Sequence, residues 1–489
     1  IRATDNASAT DNQTVVITIT GTNDTPDITV GSGDTDAVTL PESNASLTSS
    51  GTLTVVDLDL SNSVTPSVLS VAASGTTTGL GSDNAALLAM MSVAPSSIPA
   101  DVGSTNNLNW SFNSNSEFFN YLAVGESLVL TYTIRATDNA SATDNQTVVI
   151  TINGTNDTPA ITGGDASGLV TEDTSNPNLT DASSVDFNFS DADDSDTLTS
   201  AVALTATSGT VSPALATALA GALAINQTGS NDGTIAWSFS VANSLVQYLG
   251  AGESVTATYT ITLSDDSGET NDSTTQTVVI TINGTNDTPA ITGGDASGLV
   301  TEDTSNPNLT DASSVDFNFS DADDSDTLTS AVALTATSGT VSPALATALA
   351  GALAINQTGS NDGTIAWSFS VANSLVQYLG AGESVTATYT ITLSDDSGET
   401  NDSTTQTVVI TINGTNDTPV LNAITGGTVA EAVNASAQLV NVGGTVTFSD
   451  ADATNTLTPS VVGTPTIVAS PSFAIPPAVA AALTAPGAL

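Results

Sequence analysis

The chain has 489 residues and a formal charge of −49, set by 51 acidic side chains against Arg2 and Arg135, with no Lys, His or Cys. Such an acidic surface repels phosphate backbones and anionic lipid, which speaks against nucleic-acid binding and docking on acidic membranes. The missing residue types remove disulfides, zinc, haem and iron–sulfur centres, His-dependent triads and Lys-dependent phosphate or Schiff-base chemistry.

Hydrophobic residues make up 39% of the chain and charged residues only 11%, a balance that favours packed cores over disorder. The apolar residues alternate instead of massing, and no run reaches the length of a membrane span. About four fifths of the acids are Asp, a residue of turns, caps and oxygen-ligand sites more than of helices.

From the N-terminus, Ile1–Ile19 recurs as Ile134–Ile152, and Gln146–Pro289 recurs without change as Gln276–Pro419. Gly-Thr-Asn-Asp-Thr-Pro stands at Gly21–Pro26, Gly154–Pro159, Gly284–Pro289 and Gly414–Pro419. Fixed-period repetition marks a tandem array, with this hexapeptide as its joint. The expected frame is a terminal strand of a preceding truncated repeat (1–20), three full units (21–153, 154–283, 284–413) and a partial fourth (414–489). The opening on Ile1 reads as a fragment of a longer array.

Within the second unit the apolar period is 2. Val185, Phe187 and Phe189 alternate with polar residues, as do Ile235, Trp237 and Phe239. Val255, Ala257, Tyr259, Ile261 and Leu263 form a longer alternation, followed by Val278, Ile280 and Ile282. This pattern predicts half-buried antiparallel strands, and several of them per unit predict a β-sandwich. Pro213–Ala224 and Asn243–Leu249 read as short helical segments. The Pro of each joint favours an extended connector over a tight hairpin. Trp110, Trp237 and Trp367 fall in phase with the core. The first and last segments are expected to leave open sheet edges. Truncation of a longer array accounts for them; the alternative is strand exchange with other copies of the chain, as in a filament or surface lattice.

The segment Thr-Val-Val-Ile-Thr-Ile-Asn-Gly-Thr-Asn-Asp-Thr-Pro (147–159) resembles the end of VCBS repeats. Those are the Ig-like or cadherin-like modules of very large bacterial surface and secreted proteins, many of them RTX-type adhesins. Phe-Asn-Phe-Ser-Asp-Ala-Asp (187–193), Trp-Ser-Phe (237–239) and the segment from Gly252 to Asp265 match as well. The resemblance implies an extracellular location, calcium-stiffened rods of β-sandwich modules, type I secretion, and a role in cell adhesion or biofilm formation. A glycan- or protein-binding module is the competing role.

The acids that suit a hard cation such as Ca2+ fall into four recurring groups. The joints carry Asp24, Asp157, Asp287 and Asp417, each after an Asn. Glu42, Glu172, Glu302 and Glu431 follow shortly after the joints. Asp-x-Asp pairs stand at Asp57/Asp59, Asp191/Asp193, Asp321/Asp323 and Asp450/Asp452, with Asp196 and Asp326 close behind two of them. Asp265 and Asp395 stand in the turn after the long Tyr strands. In an extended Asp-x-Asp both carboxylates point to one side, where a dication relieves their repulsion. Turn and cap chemistry is the competing reading of each acid. Gly-Glu at Glu126, Glu253 and Glu383 reads as a turn. By likeness to the calcium linker of cadherins, Asp157, Glu172, Asp191 and Asp193 are expected to converge near a module end. The expected partners are calcium, neighbouring modules and other copies of the chain, with no nucleic acid and no membrane insertion. No catalytic residues are expected.

Overall fold

A computed structural model describes residues 1–430, 442–468 and 474–485. The chain is all-β and builds tandem two-sheet sandwiches. It divides into two compact units, Ile1–Val246 with Ser254–Asn283, and Gln247–Glu253 with Gly284–Leu489.

In residues 160–283 one sheet has the order Ala160–Gly163, Phe187–Ser190, Gly233–Ala242, Asn178–Ala182, with Leu223–Thr228 also on Gly233–Ala242. The other has the order Ser167–Thr171, Ser273–Asn283, Ser254–Ser264, Thr199–Ser208. The period-2 pattern drives this pairing. Val255, Ala257, Tyr259, Ile261 and Leu263 face inward and are at most 1% exposed, while the Thr residues between them face out. Trp237 packs inside and its indole N–H donates to the Asp165 carbonyl at 2.7 Å. Phe239 meets Tyr259 edge-on with centroids 6.4 Å apart, a favoured aromatic geometry. Residues 27–153 and 290–413 form corresponding sheet pairs.

Most pairings are antiparallel, but the first strand of one sheet is not. Ser167–Thr171 runs parallel to the last strand, Ser273–Asn283, and Ala37–Pro41 runs parallel to Thr143–Asn153. This direction positions the site described below.

Three local expectations shift. The helix expected over Pro213–Ala224 stops at Leu219, because Leu223 enters a strand; the Ser212 side chain caps its start. Val185 lies outside the strand and is 61% exposed. The stretch expected as a terminal strand over 1–20 is instead a hairpin, Arg2–Thr4 with Thr10–Asn12, followed by residues outside any strand. The equivalent Thr147–Ile152 lies between Ser127–Thr137 and Ala37–Pro41, and residues 14–19 have no such pair of strands around them.

Candidate metal centre

Each Asp-x-Asp lies in a loop just after a strand, and the same local bonds shape it in every module. Asp191 Oδ1 accepts the Asp193 N–H at 3.2 Å, and the Asp193 carbonyl accepts the Asp196 N–H at 3.1 Å. The loop therefore points three acids the same way before any tertiary contact.

The joint folds onto this loop. The Asp157 N–H donates to Asp193 Oδ2 at 2.8 Å. The same bond recurs from Asp24 to Asp59 (2.8 Å), from Asp287 to Asp323 (2.8 Å) and from Asp417 to Asp452 (3.0 Å). Asn156 Nδ2 reaches Asp265 Oδ2 at 3.2 Å, and Asn286 repeats this with Asp395 at 3.2 Å. Carboxylate oxygens of Asp191, Asp196 and Asp265 lie within 4.8 Å of one another, as do those of Asp321, Asp323 and Asp326.

The preceding module supplies the other wall. Thr155 Oγ1 donates to Glu42 Oε1, and the Asp157 charge acts on Glu42. Asn44 Nδ2 donates to Asp157 Oδ1 at 3.2 Å. Likewise Glu302 Oε1 accepts the Thr415 N–H at 2.8 Å, and its charge acts on Asp417. The joint glycine is required by close approach: a Cβ at Gly154 would sit 2.2 Å from the carbonyl oxygens of Leu122 and Ala123.

One expectation is corrected here. Glu172 does not converge with Asp157, Asp191 and Asp193; the Glu that reaches this joint is Glu42, against Thr155 and Asp157. Glu172 lies at the other end of its module, its N–H donating to the Asn283 carbonyl at 2.9 Å. Asp157 sits by Asp265 and Asn271 at the start of that last strand, and the strand's eleven residues separate its ends by roughly 33 Å. The parallel pairing of Ser167–Thr171 carries Glu172 to the far pole. Glu431 falls outside the described residues. Asp24, Asp57 and Asp59 form the same loop-and-joint arrangement at the start of the first module. Asp450 and Asp452 do so in the last.

Glu126, read from sequence as a turn residue, also belongs here. Its carbonyl accepts the Gly154 N–H at 3.0 Å and its charge acts on Asp196. Glu253 acts on Asp326 in the same way. Recurrence before the Tyr strand was the available signal, but a turn and a wall of the site share that signature.

The electrostatics are those of crowded carboxylates removed from water. Burial, then the neighbouring Asp196, Asp191 and Asp157, pushes Asp193 up to about 8 despite the Asp157 N–H. Burial and the same kind of neighbours push Asp323 to about 7 and Asp196 and Asp326 to about 6. Burial also raises Asp191, Asp321, Glu42 and Asp417.

Buried acceptors without a donor test the fit to a cation. Asp193 is 0% exposed, Glu42 4% and Asp191 8%. Glu42 Oε2, Asp157 Oδ2, Asp191 Oδ2, Asp193 Oδ1, Asp196 Oδ2 and Asn156 Oδ1 are buried and accept no hydrogen bond. Leaving ionised oxygens buried and unpaired is costly. With no Lys and with Arg2 and Arg135 as the only cationic side chains, a hard metal ion fits this donor set.

No family model and no curated protein matches the chain. Among solved structures it is similar to the cadherin domains 1–5 of protocadherin gamma B2, at 13% identity and a TM-score of 0.37, covering 81% of this chain and 61% of that one. It is similar to the extracellular domain of protocadherin gamma B4, at 14% identity and a TM-score of 0.34, covering 88% and 58%. Mouse cadherin-23 domains 22–24 give 15% identity and a TM-score of 0.32, covering 80% and 99%. The chain thus spans less than two thirds of the length of both protocadherins. Among the described residues no helix is long and apolar enough to cross a membrane.

Proposed function

We propose that the chain is a calcium-stiffened extender region of a large repetitive bacterial extracellular adhesin of the VCBS-repeat type, projecting a distal binding domain for adhesion or biofilm formation. The observation that carries this reading is the set of buried, donorless oxygens at the joint where Glu42 of one module faces Asp157 of the next, with Asp193 bonded to the Asp157 N–H and Asp191 in the same loop. Calcium there would neutralise the acids, and because they come from two modules it would fix the angle between them. Glu302, Asp417, Asp450 and Asp452 would do the same further along. Asp24, Asp57, Asp59, Asp196, Asp265, Asp287, Asp321, Asp323, Asp326 and Asp395 belong to the same proposed ligand groups, and Glu172 and Glu431 are proposed as ligands from their places in the repeat. Calcium binding to the native state adds to its stability, so low cytosolic calcium would delay folding until after export.

The test is calcium titration of the metal-free chain followed by thermal melting and small-angle scattering. The expected result is a higher melting temperature and a longer maximum dimension with calcium. If chelation changes neither, the reading fails.

A second reading has one observation in its favour. Val15, Ile17 and Ile19 are 56–90% exposed, and the face around Phe448, Leu421 and Ile424 is 40–67% exposed. Strand exchange between copies would cover both. Sedimentation equilibrium decides it: a monomer at high concentration removes this reading.

A further inference from the structure

The joints are not equivalent. Five positions into the Asp-x-Asp loop stand Asp196 and Asp326 in two modules, but Asn62 and Asn455 in the other two. The same turn presents this residue each time: its N–H donates to the carbonyl of the second Asp at 3.1, 3.1, 2.8 and 3.2 Å in that order.

Its side chain plays opposite roles in the two sets. Asp196 Oδ2 and Asp326 Oδ2 are buried acceptors with no donor. Asn455 Nδ2 donates to Asp452 Oδ2 at 2.7 Å, onto the oxygen that also takes the Asp417 N–H. Asn62 Nδ2 donates to Asn23 Oδ1 at 3.2 Å. The amide thus removes a charge and supplies a donor, to the joint from Asn62 and to the loop from Asn455. Among the described residues, three carboxylates close to within 4.8 Å only around Asp196, with Asp191 and Asp265, and around Asp326, with Asp321 and Asp323. The amide loops still hold buried, donorless oxygens, Asp57 Oδ2 at a residue 1% exposed and Asp452 Oδ1 at one 2% exposed.

We propose that this fifth position sorts the joints into two calcium classes. Asp196 and Asp326 make tight sites that fill first; Asn62 and Asn455 make weak sites that fill only at higher calcium. The reason is ligand charge count, which together with rigidity tunes oxygen sites over several orders of magnitude. The array then stiffens in stages as calcium rises. This rests on the reading of the joints as calcium sites.

The test uses the full chain with calcium alone, read by calorimetry and by hydrogen exchange of peptic fragments. Fragments around Asp191–Asp196 and Asp321–Asp326 are identical in sequence and report the tight class together, while those around Asp57–Asn62 and Asp450–Asn455 are unique. The expected result is two protection midpoints separated by on the order of tenfold or more in calcium. Asp196→Asn should move part of the first class toward the second, and Asn455→Asp, at an exposed position, should lower the midpoint of its own fragment. A single midpoint in the parent chain, or exchanged residues that leave the midpoints in place, overturns the two-class inference while leaving calcium binding intact. Absence of any calcium response overturns the underlying reading as well.

Discussion

The Asp157 N–H donates to Asp193 Oδ2 at 2.8 Å, and this bond from joint to loop recurs in all four modules. It turns a linear sequence motif into one wall of a site. It also spends only one oxygen of Asp193 and leaves Oδ1 buried without a donor. Asp193 is therefore costly as it stands, and under the proposed calcium reading it turns into an ion ligand.

Asp193→Asn is the direct test of that double character. The amide Oδ1 still accepts the Asp157 N–H, but the buried acid that must take up a proton on folding is gone. Removing that cost should stabilise the chelated protein at neutral pH by on the order of 1 kcal/mol or more. The same variant should lose much of the calcium-dependent gain at its joint, a gain of about 2.7 kcal/mol per site at a hundredfold excess of calcium over the dissociation constant. Denaturant melts with chelator and with calcium should cross in rank. A variant that is weaker in both conditions refutes the argument.

The pH dependence follows from the raised carboxyls. Asp193 at about 8 and Asp323 at about 7 hold protons in the folded state that the unfolded chain, near 3.8, has already released. Between these values the native state binds more protons, so stability of the chelated protein falls as pH rises from about 4 to about 8. Calcium needs the ionised form, so its stabilising increment should grow over the same range. Melting at pH 5 and pH 8, each with chelator and with calcium, measures both slopes; parallel curves would contradict this.

Glu42→Gln should weaken calcium binding at the joint carrying Asp157 while leaving the Asp57–Asp59 loop unaffected. Glu172→Gln should not touch the Asp157 joint, despite lying in the same module as it. Exchange protection of the amides of residues 155–157 separates the two variants. An equal effect of both on that joint would contradict the placement of Glu42.

Trp237→Ala should cost about 3–5 kcal/mol, because it empties a fully packed core position and orphans the Asp165 carbonyl. Because each sandwich has its own core, the loss should appear as an earlier unfolding step in calorimetry and not as a uniform shift. A change under about 1 kcal/mol would mean the indole is not packed as described.

Much of this protein is legible one residue at a time. Period-2 alternation over Val255–Leu263 identifies a strand and its inner face, since side chains of a strand point to opposite sides. The turn of the hairpin over Arg2–Asn12 is local: Asp5 Oδ1 accepts the N–H groups of Ala7 and Ala9, both at 2.9 Å. Asp138 does the same for Ala140 and Ala142 at 2.9 and 2.7 Å. The Asp-x-Asp loops are equally local, which is why their acids were recognisable as a group. Their partner was not. Glu42 and Glu172 occupy the same place in their repeats, and nothing near either says which joint it faces. That was decided by Ala37–Pro41 and Ser167–Thr171 lying parallel to the last strand of their sheets. Parallel pairing sends the following residue toward the module's exit, so Glu42 meets the joint after it and Glu172 leaves the Asp157 joint behind. Strand direction is a property of the closed sandwich, set by non-local hydrogen bonds, and so only the tertiary structure assigns each acid to its site.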